Sequence, residues 1–358
     1  MRISSVHSSW LNINKLYPLG CVALIGWMLC HCTACYSSKE SPSLGFYYWK
    51  TQFQLSQSEQ LYLKNAKITK LYLKYADVGI DPQSGTVEPY TTLTFVDTTG
   101  TGSMELIPCF FFVNEVFIKL APEETAALAD SLCLLLHSYN FPFQEVQLDC
   151  DWTPKSRASY FAFLRELHYR IPEVQLSATI RLHQYKSPAT TGIPPVNRGA
   201  LMCYNTGELE DVHETNSILS PKAFSRYLVP NNYPLPLDPI LPIFSWALVF
   251  RSDQFWKIIP EPEVKTLHDP LYFRPAGNWY EVQQPLFFGG HLLQSGDRLR
   301  LEGSSIPQLR QVMPWIKNTW TQESKVLSFY HLNPNTVTDF PPDSLRSLLT
   351  EIVPWEIK

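Results

Sequence analysis

The chain has 358 residues, of which 45% are hydrophobic, 13% aromatic and 17% charged, and its formal net charge is -4. That length accommodates one large domain or two ordinary ones, and the near-balanced charge, with no Lys/Arg run, excludes the basic footprint of a nucleic-acid binder. The 29 prolines, 10 Trp and 18 Tyr indicate structured loops rather than disorder, since aromatic loops bury or bind something.

The amino end reads as a leader. Arg2 and Lys15 supply positive charge, Leu16 to Leu29 is a short apolar run, and Cys32-Thr33-Ala34-Cys35 follows. This resembles a bacterial lipoprotein signal, in which Cys35 is lipidated and becomes the first mature residue. An uncleaved membrane anchor and an ordinary secretory signal are the alternatives. Residues 1–35 are therefore expected to direct export to the cell envelope, with a lipid anchor in a bacterial membrane (the outer one by preference), and residues 36–43 to form a polar tether. Cys109, Cys133, Cys150 and Cys203 are scattered singly, with no metal-ligand spacing among them, and read as buried thiols.

Strands and helices then alternate. Leu44 to Trp49 is an aromatic strand, Ser56 to Lys64 a helix, and Ile68 to Tyr75 a second strand, followed by a turn-rich loop at Asp77 to Pro82 and a detour rich in Thr and Gly. Ile107 to Val113 is the third strand. Pro122-Glu123-Glu124 opens a helix to about Tyr139, with proline and acids in its first turn. The fourth strand, within Gln144 to Asp151, precedes a helix over Ser156 to Arg170. Strand five is Val174 to His183 and strand six Gly199 to Asn205. A helix at Ser220 to Tyr227 and a proline-rich crossing, Pro230 to Pro242, lead to strand seven, Ile243 to Arg251. Residues 252–300 read as an irregular insertion, in which Gly296 to Glu302 is a surface strand. Ile306 to Thr319 is a helix, Val326 to Leu332 the eighth strand and Pro342 to Ile352 a closing helix.

Eight such strands without a Gly-rich phosphate loop predict an α/β protein, a (β/α)8 TIM barrel over residues 44–358 with its insertion between strands seven and eight. Alternation along the strands then turns Lys70, Tyr72 and Lys74, Gln147, Asp149 and Asp151, and Ser177, Thr179, Arg181 and His183 toward the lumen. Asp149 and Asp151 lie on one face roughly 6–7 Å apart, while Val146, Leu148 and Cys150 pack outward. A polar lumen points to a site at the carboxyl ends of the strands.

Val146-Gln147-Leu148-Asp149-Cys150-Asp151-Trp152-Thr153 resembles the fourth-strand motif D-x-x-D-x-D-x-E of chitinase-like glycoside hydrolases, and Met202-Cys203-Tyr204-Asn205 resembles their sixth-strand M-x-Y-D. Phe46 to Thr51, with Gln147 to Asp151 and Ser177 to Thr179, is similar to uncharacterised bacterial envelope proteins with a glycosidase-like barrel. The resemblance implies glycan binding and hydrolysis. Three positions depart from the motifs: Thr153 stands where the family has its proton-donating Glu, Val146 replaces the first Asp, and Asn205 replaces the sixth-strand Asp. Asp149 and Asp151 match the second and third acids, which support and polarise the chemistry.

Glycoside cleavage uses one protonated and one ionised carboxyl. Asp151, nearest the strand end, is the candidate acid or base, supported by Asp149, with the second carboxylate expected from Glu208, Asp77 or Glu115. Lys74, Trp152, Arg181, His183, Tyr204, Asn205, Trp246 and His331 are candidate substrate-binding residues, and Trp49 is a further ring for stacking. Each has a plainer reading: an ionic core of Asp149 with Lys74 or Arg181, packed tryptophans, rim histidines, and a solvated acidic run at 208–214. No metal or cofactor is expected, the partner is a carbohydrate, and the chain is expected to be a monomer. A non-catalytic carbohydrate-binding or scaffold lipoprotein is the alternative function.

Overall fold

The computed structural model describes residues 41–227, 233–321 and 323–353. The expected leader, with Cys35, lies outside the described residues. Among them, no helix is long and apolar enough to cross a membrane.

Eight parallel strands form the barrel: β1 (Ser43–Tyr48), β2 (Ile68–Ile80), β3 (Glu105–Phe112), β4 (Glu145–Cys150), β5 (Gln175–Arg181), β6 (Arg198–Met202), β7 (Leu237–Pro242) and β8 (Val326–Tyr330). Each pairs with its sequence neighbour from β2 through β7, β7 pairs with β8, and β1 pairs with both β8 and β2, which closes the ring. The (β/α)8 expectation is met. Helices α1 (Gln57–Asn65), α2 (Thr125–His137), α3 (Arg157–Arg170), α4 (Ile306–Thr319) and α5 (Pro342–Ile352) surround it. The start of α1 is written in Ser56-x-x-Glu59: the Ser56 hydroxyl accepts from the Glu59 amide while Glu59 reaches back to the Ser56 amide at 2.8 Å.

Most outward residues of the strands are apolar and buried. Phe112 of β3 packs at 5.3 Å from Phe117 and 5.2 Å from Phe163 of α3, and Val146 and Leu148 are wholly buried. Many of the inward residues are polar and bond to one another. The Tyr47 hydroxyl donates to Gln147 (2.7 Å), Gln147 to Ser177 (3.3 Å), and Ser177 to Glu145 (2.6 Å). Lys70 lies between Glu145 and Glu105 at 3.1 and 3.3 Å, and Arg198 pairs with Asp238 at 2.7 Å. Buried polar groups paired in this way avoid the desolvation penalty that isolated ones would incur.

Three expectations require correction. Barrel strand seven is Leu237–Pro242, inside the expected proline-rich crossing, whereas Ser245–Arg251 begins the insertion. Pro239 and Pro242 do not disqualify β7, because each proline removes one donor and leaves its carbonyl. Second, Asp77 is not in a loop but within β2, which runs on to Ile80 and gains an antiparallel neighbour at Val87–Thr92. Third, β5 stops at Arg181, so His183 lies on the short helix Leu182–Lys186 and is exposed.

The insertion is more regular than expected. Its antiparallel sheet runs in the order Gln254–Pro260, Ser245–Arg251, Arg298–Gly303, Trp279–Val282, Phe273–Ala276, and it has a small core of its own around Val249, Ile259 and Leu299. Arg298–Gly303 is central rather than superficial. Arg300 and Glu302, 0% and 2% exposed, pair at 2.6 Å.

Candidate functional site

A cleft of about 480 Å³ opens at the carboxyl ends of the strands, the end where barrel enzymes carry their sites. Its floor is set by β4. Asp149 accepts from the Thr179 hydroxyl of β5 at 2.7 Å. Asp151, two residues on and on the same side, is clamped in two-pronged fashion by Arg181, whose Nε donates to Oδ1 while Nη2 donates to Oδ2. Such forked pairing fixes geometry as well as charge.

A bulge at Tyr75 sets the β2 wall. Opposite β3, Lys74 pairs with Cys109 and Ala76 with Phe110, so one residue of β2 is extra. The bulge shifts the alternation by one place, and Lys74 and Asp77 consequently both line the cleft and pair at 2.9 Å. Tyr90, on the neighbouring antiparallel strand, lies so close to Gly79 that a Cβ there would meet its ring at 2.8 Å.

The far wall comes from β6, β8 and the insertion. Tyr204 stacks on Tyr330 at 5.6 Å, and Tyr330 meets Trp49 and Phe244 edge-on at 5.6 and 5.7 Å. Glu261, at the end of the strand Gln254–Pro260, pairs with His331 Nε2 at 2.8 Å and accepts from Asn333. Trp246 lines the cleft while its Nε1 donates to the buried Glu302 at 2.8 Å.

Two carboxyls are displaced in opposite directions. Burial, and then the charge of Asp151, push Asp149 up to about 6 against the opposing influence of Thr179 and Arg181. Burial also works against the charge of Glu261, but hydrogen bonds and charge from His331, together with Asn333, outweigh it and hold Glu261 below the usual range. The Tyr204 hydroxyl is raised by burial and by neighbouring Tyr330.

Of the residues singled out in the sequence, Lys74, Asp77, Asp149, Asp151, Arg181, Tyr204, Asn205, Trp246 and His331 line the cleft, as does Trp49. Four do not. Trp152 is 2% exposed, stacked on Tyr160 with its Nε1 bonded to the Thr191 carbonyl, so it packs beneath the rim rather than offering a face to a ligand. Glu115, on the helix Asn114–Lys119, is exposed, as are Glu208 and His183. Glu261 and Tyr330 carry no sequence signal of their own. Tyr330 precedes the expected strand-end histidine by one place, and Glu261 falls in a stretch with no periodicity. Among the described residues no group of three or more His, Cys, Asp or Glu could hold a metal.

No family model matches the chain, and no curated protein is significantly similar to it. Solved structures do resemble it. An immunomodulatory active chitinase from Trichuris suis aligns with 86% of this chain and 99% of its own at 12% identity, with a TM-score of 0.52. A chitinase from Bacillus thuringiensis aligns with 88% of this chain and 71% of its own at 11% identity and a TM-score of 0.50. The fold is the chitinase-like (β/α)8 barrel. A spore cortex-lytic enzyme from Bacillus cereus aligns with 88% of this chain and 75% of its own at 15% identity, with a TM-score of 0.49.

Thr153, set by the sequence resemblance at the last place of the fourth-strand motif, follows β4. It turns the chain into α3, its amide donating to Ser156 Oγ at 2.9 Å, and it does not line the cleft. The carboxyls that do line it are Asp77, Asp149, Asp151 and Glu261.

Proposed function

We propose that the protein is a glycoside hydrolase that binds a polysaccharide or other glycan in this cleft and cleaves it with carboxylate acid/base groups. One observation carries the reading. Asp149 and Asp151, at the end of β4, share one cleft edged with aromatic rings with the carboxylate of Glu261, which is held by His331 after β8, four strands away in the closed ring. Cleavage of a glycosidic bond requires such a pair with separated proton affinities. Asp149, raised to about 6, can hold a proton in mildly acidic solution. Glu261, held low, stays ionised and serves as the base. Arg181 fixes Asp151 where positive charge develops on a sugar ring, and Trp49, Trp246 and Tyr330 offer faces to sugars.

A second reading is a non-catalytic glycan-binding lipoprotein on the same barrel. Two features favour it: both oxygens of Asp151 are engaged by Arg181, and Thr153 stands in the place of the motif's Glu. In either reading we propose that residues 1–35 act as a lipoprotein leader, with the chain attached through Cys35 to a membrane of the cell envelope and acting as a monomer; the apolar run Leu16 to Leu29 followed by Cys32-Thr33-Ala34-Cys35 supports the leader.

Turnover and affinity, measured together on a panel of glycan oligomers, separate these readings. For the hydrolase, Asp151→Asn lowers kcat by about a hundredfold or more while the oligomer Kd changes only a few-fold. A wild-type chain that binds an oligomer without cleaving it establishes the binder. Turnover undiminished in Asp151→Asn removes Asp151 from the mechanism.

A further inference from the structure

The two oxygens of Glu261 have different surroundings. Oε1 takes both anchors, His331 Nε2 at 2.8 Å and Asn333 Nδ2. Oε2 has no hydrogen-bond partner among the described residues and is not buried; the side chain lines the cleft and is 29% exposed. Two donors on one oxygen restrain the carboxylate and leave the other oxygen to meet what enters the cleft.

Asn333 is itself held so that only its amide nitrogen faces Glu261. It is 3% exposed and forms the N-cap of the short helix Pro334–Asp339. Its Oδ1 accepts from the Thr336 amide at 2.8 Å, and the Thr336 hydroxyl lies within reach of both that Oδ1 (3.1 Å) and the His331 carbonyl (2.9 Å). A backbone amide only donates, so Oδ1 must turn toward it, which assigns Nδ2 to Glu261. The cap needs the oxygen alone, since Asn and Asp cap helices about equally well. The amide nitrogen is surplus to the cap and serves the carboxylate.

We propose that Asn333 is a positioning residue for the reaction, holding Glu261 by Oε1 so that Oε2 is the atom that takes the proton of the attacking water. This rests on the hydrolase reading above and names the atom through which its base works. The water oxygen bonds to the anomeric carbon as the glycosidic C–O bond breaks. One water proton passes to Glu261 Oε2, and the proton of Asp149 passes to the departing oxygen. Donation from Nδ2 also favours the ionised form of Glu261, in keeping with its low proton affinity.

The test uses the full chain and any oligomer that the wild type cleaves. Asn333→Asp keeps the cap and sets a second carboxylate oxygen against Glu261 in place of the donor. The expected result is a kcat lower by about tenfold or more with KM changed only a few-fold. The acidic limb of the pH profile moves to higher pH, because Glu261 beside a like charge takes up its proton sooner as pH falls. Lys50, His331 and Tyr330, which also interact with the charge of Glu261, are the same in both proteins. Asn333→Ser retains a capping oxygen but is too short to reach Glu261; it is expected to lose kcat as well, and it decides the matter should Asn333→Asp not fold. Wild-type kcat in these variants, or a loss of kcat with the acidic limb of Asn333→Asp unmoved, overturns the positioning role and leaves the hydrolase standing. Undiminished turnover in Glu261→Gln removes the base and this role together. A wild-type chain that cleaves no oligomer overturns the hydrolase reading and the role that depends on it.

Discussion

Asp149 shows how one side chain links the stability of the fold to the chemistry of the cleft. Its raised proton affinity means that between its ordinary value of 3.8 and about 6 the folded chain binds more proton than the unfolded one. Stability attributable to this group therefore falls as pH rises through that window and stays low above it. Asp149→Asn retains an oxygen to accept from Thr179 and deletes the charge. It is expected to stabilise the protein by roughly 1–3 kcal/mol above neutrality, with the advantage disappearing below about pH 4. Thermal melts of both proteins across that range check this, and a variant less stable in mild alkali would show that the carboxylate is favoured by its surroundings. The same titration bears on turnover, since a step that needs Asp149 protonated slows above about pH 6. Asp149, Asp151 and Arg181 were legible in the sequence because strand alternation puts them on one face. Glu261 was not, because its place is fixed by contacts with His331 and Asn333, 70 or more positions away in the chain, which no local pattern encodes.

Elements were legible where they carry their own signals and illegible where tertiary structure overrides those signals. Helices α4 and α5 carry proline in their first two positions and follow the apolar stripe, and their observed limits are the expected ones. Barrel strand β7 was missed because LDPILP contains two prolines and lies fully buried, while the next segment, SWALVFR, has the stronger β composition and pairs antiparallel in the insertion. Gly296 to Glu302 reads as a surface strand from its alternating charges, yet its arginine and glutamate enter the joint between the insertion and the loop before β7. Arg300 donates to the carbonyls of Asp211 and Leu209, and Glu302 accepts from Ser217 and Trp246. Glu302→Gln keeps an acceptor for those donors but strips Arg300 of its counter-ion, and should destabilise by about 3–5 kcal/mol. Chemical denaturation measures the loss, and Trp246 emission reports the disturbed joint at the cleft. A loss under about 1 kcal/mol would mean that the two backbone carbonyls suffice for the guanidinium.

At the scale of the whole molecule, the polar lumen could be read from alternation, but the seam that closes the ring could not, because β1 meets β2 and β8 through residues with no chemical label. Gly45 marks that seam. It stands opposite Ser328 on β8 and Lys70 on β2, beside a register shift at Leu44. A Cβ there would lie 2.7 Å from Ser328 Oγ and 3.1 Å from both the Tyr72 ring and Val326. The space is taken because Tyr47 and Tyr72, paired on the neighbouring strands β1 and β2, stack at 4.8 Å, and Tyr47 carries the hydrogen bond to Gln147, two residues before Asp149. Gly45→Ala therefore overpacks the closure and is expected to cost about 1–3 kcal/mol, shifting the tyrosine stack and, through Gln147, the strand that holds the two aspartates. Ser328→Ala removes the nearest obstructing atom, so the double variant should recover part of that loss. A double-mutant cycle with a favourable coupling of roughly 0.5 kcal/mol or more places the strain at the β1–β8 seam. Strict additivity would instead assign it to the Tyr72 ring and Val326, which Ser328→Ala leaves in place.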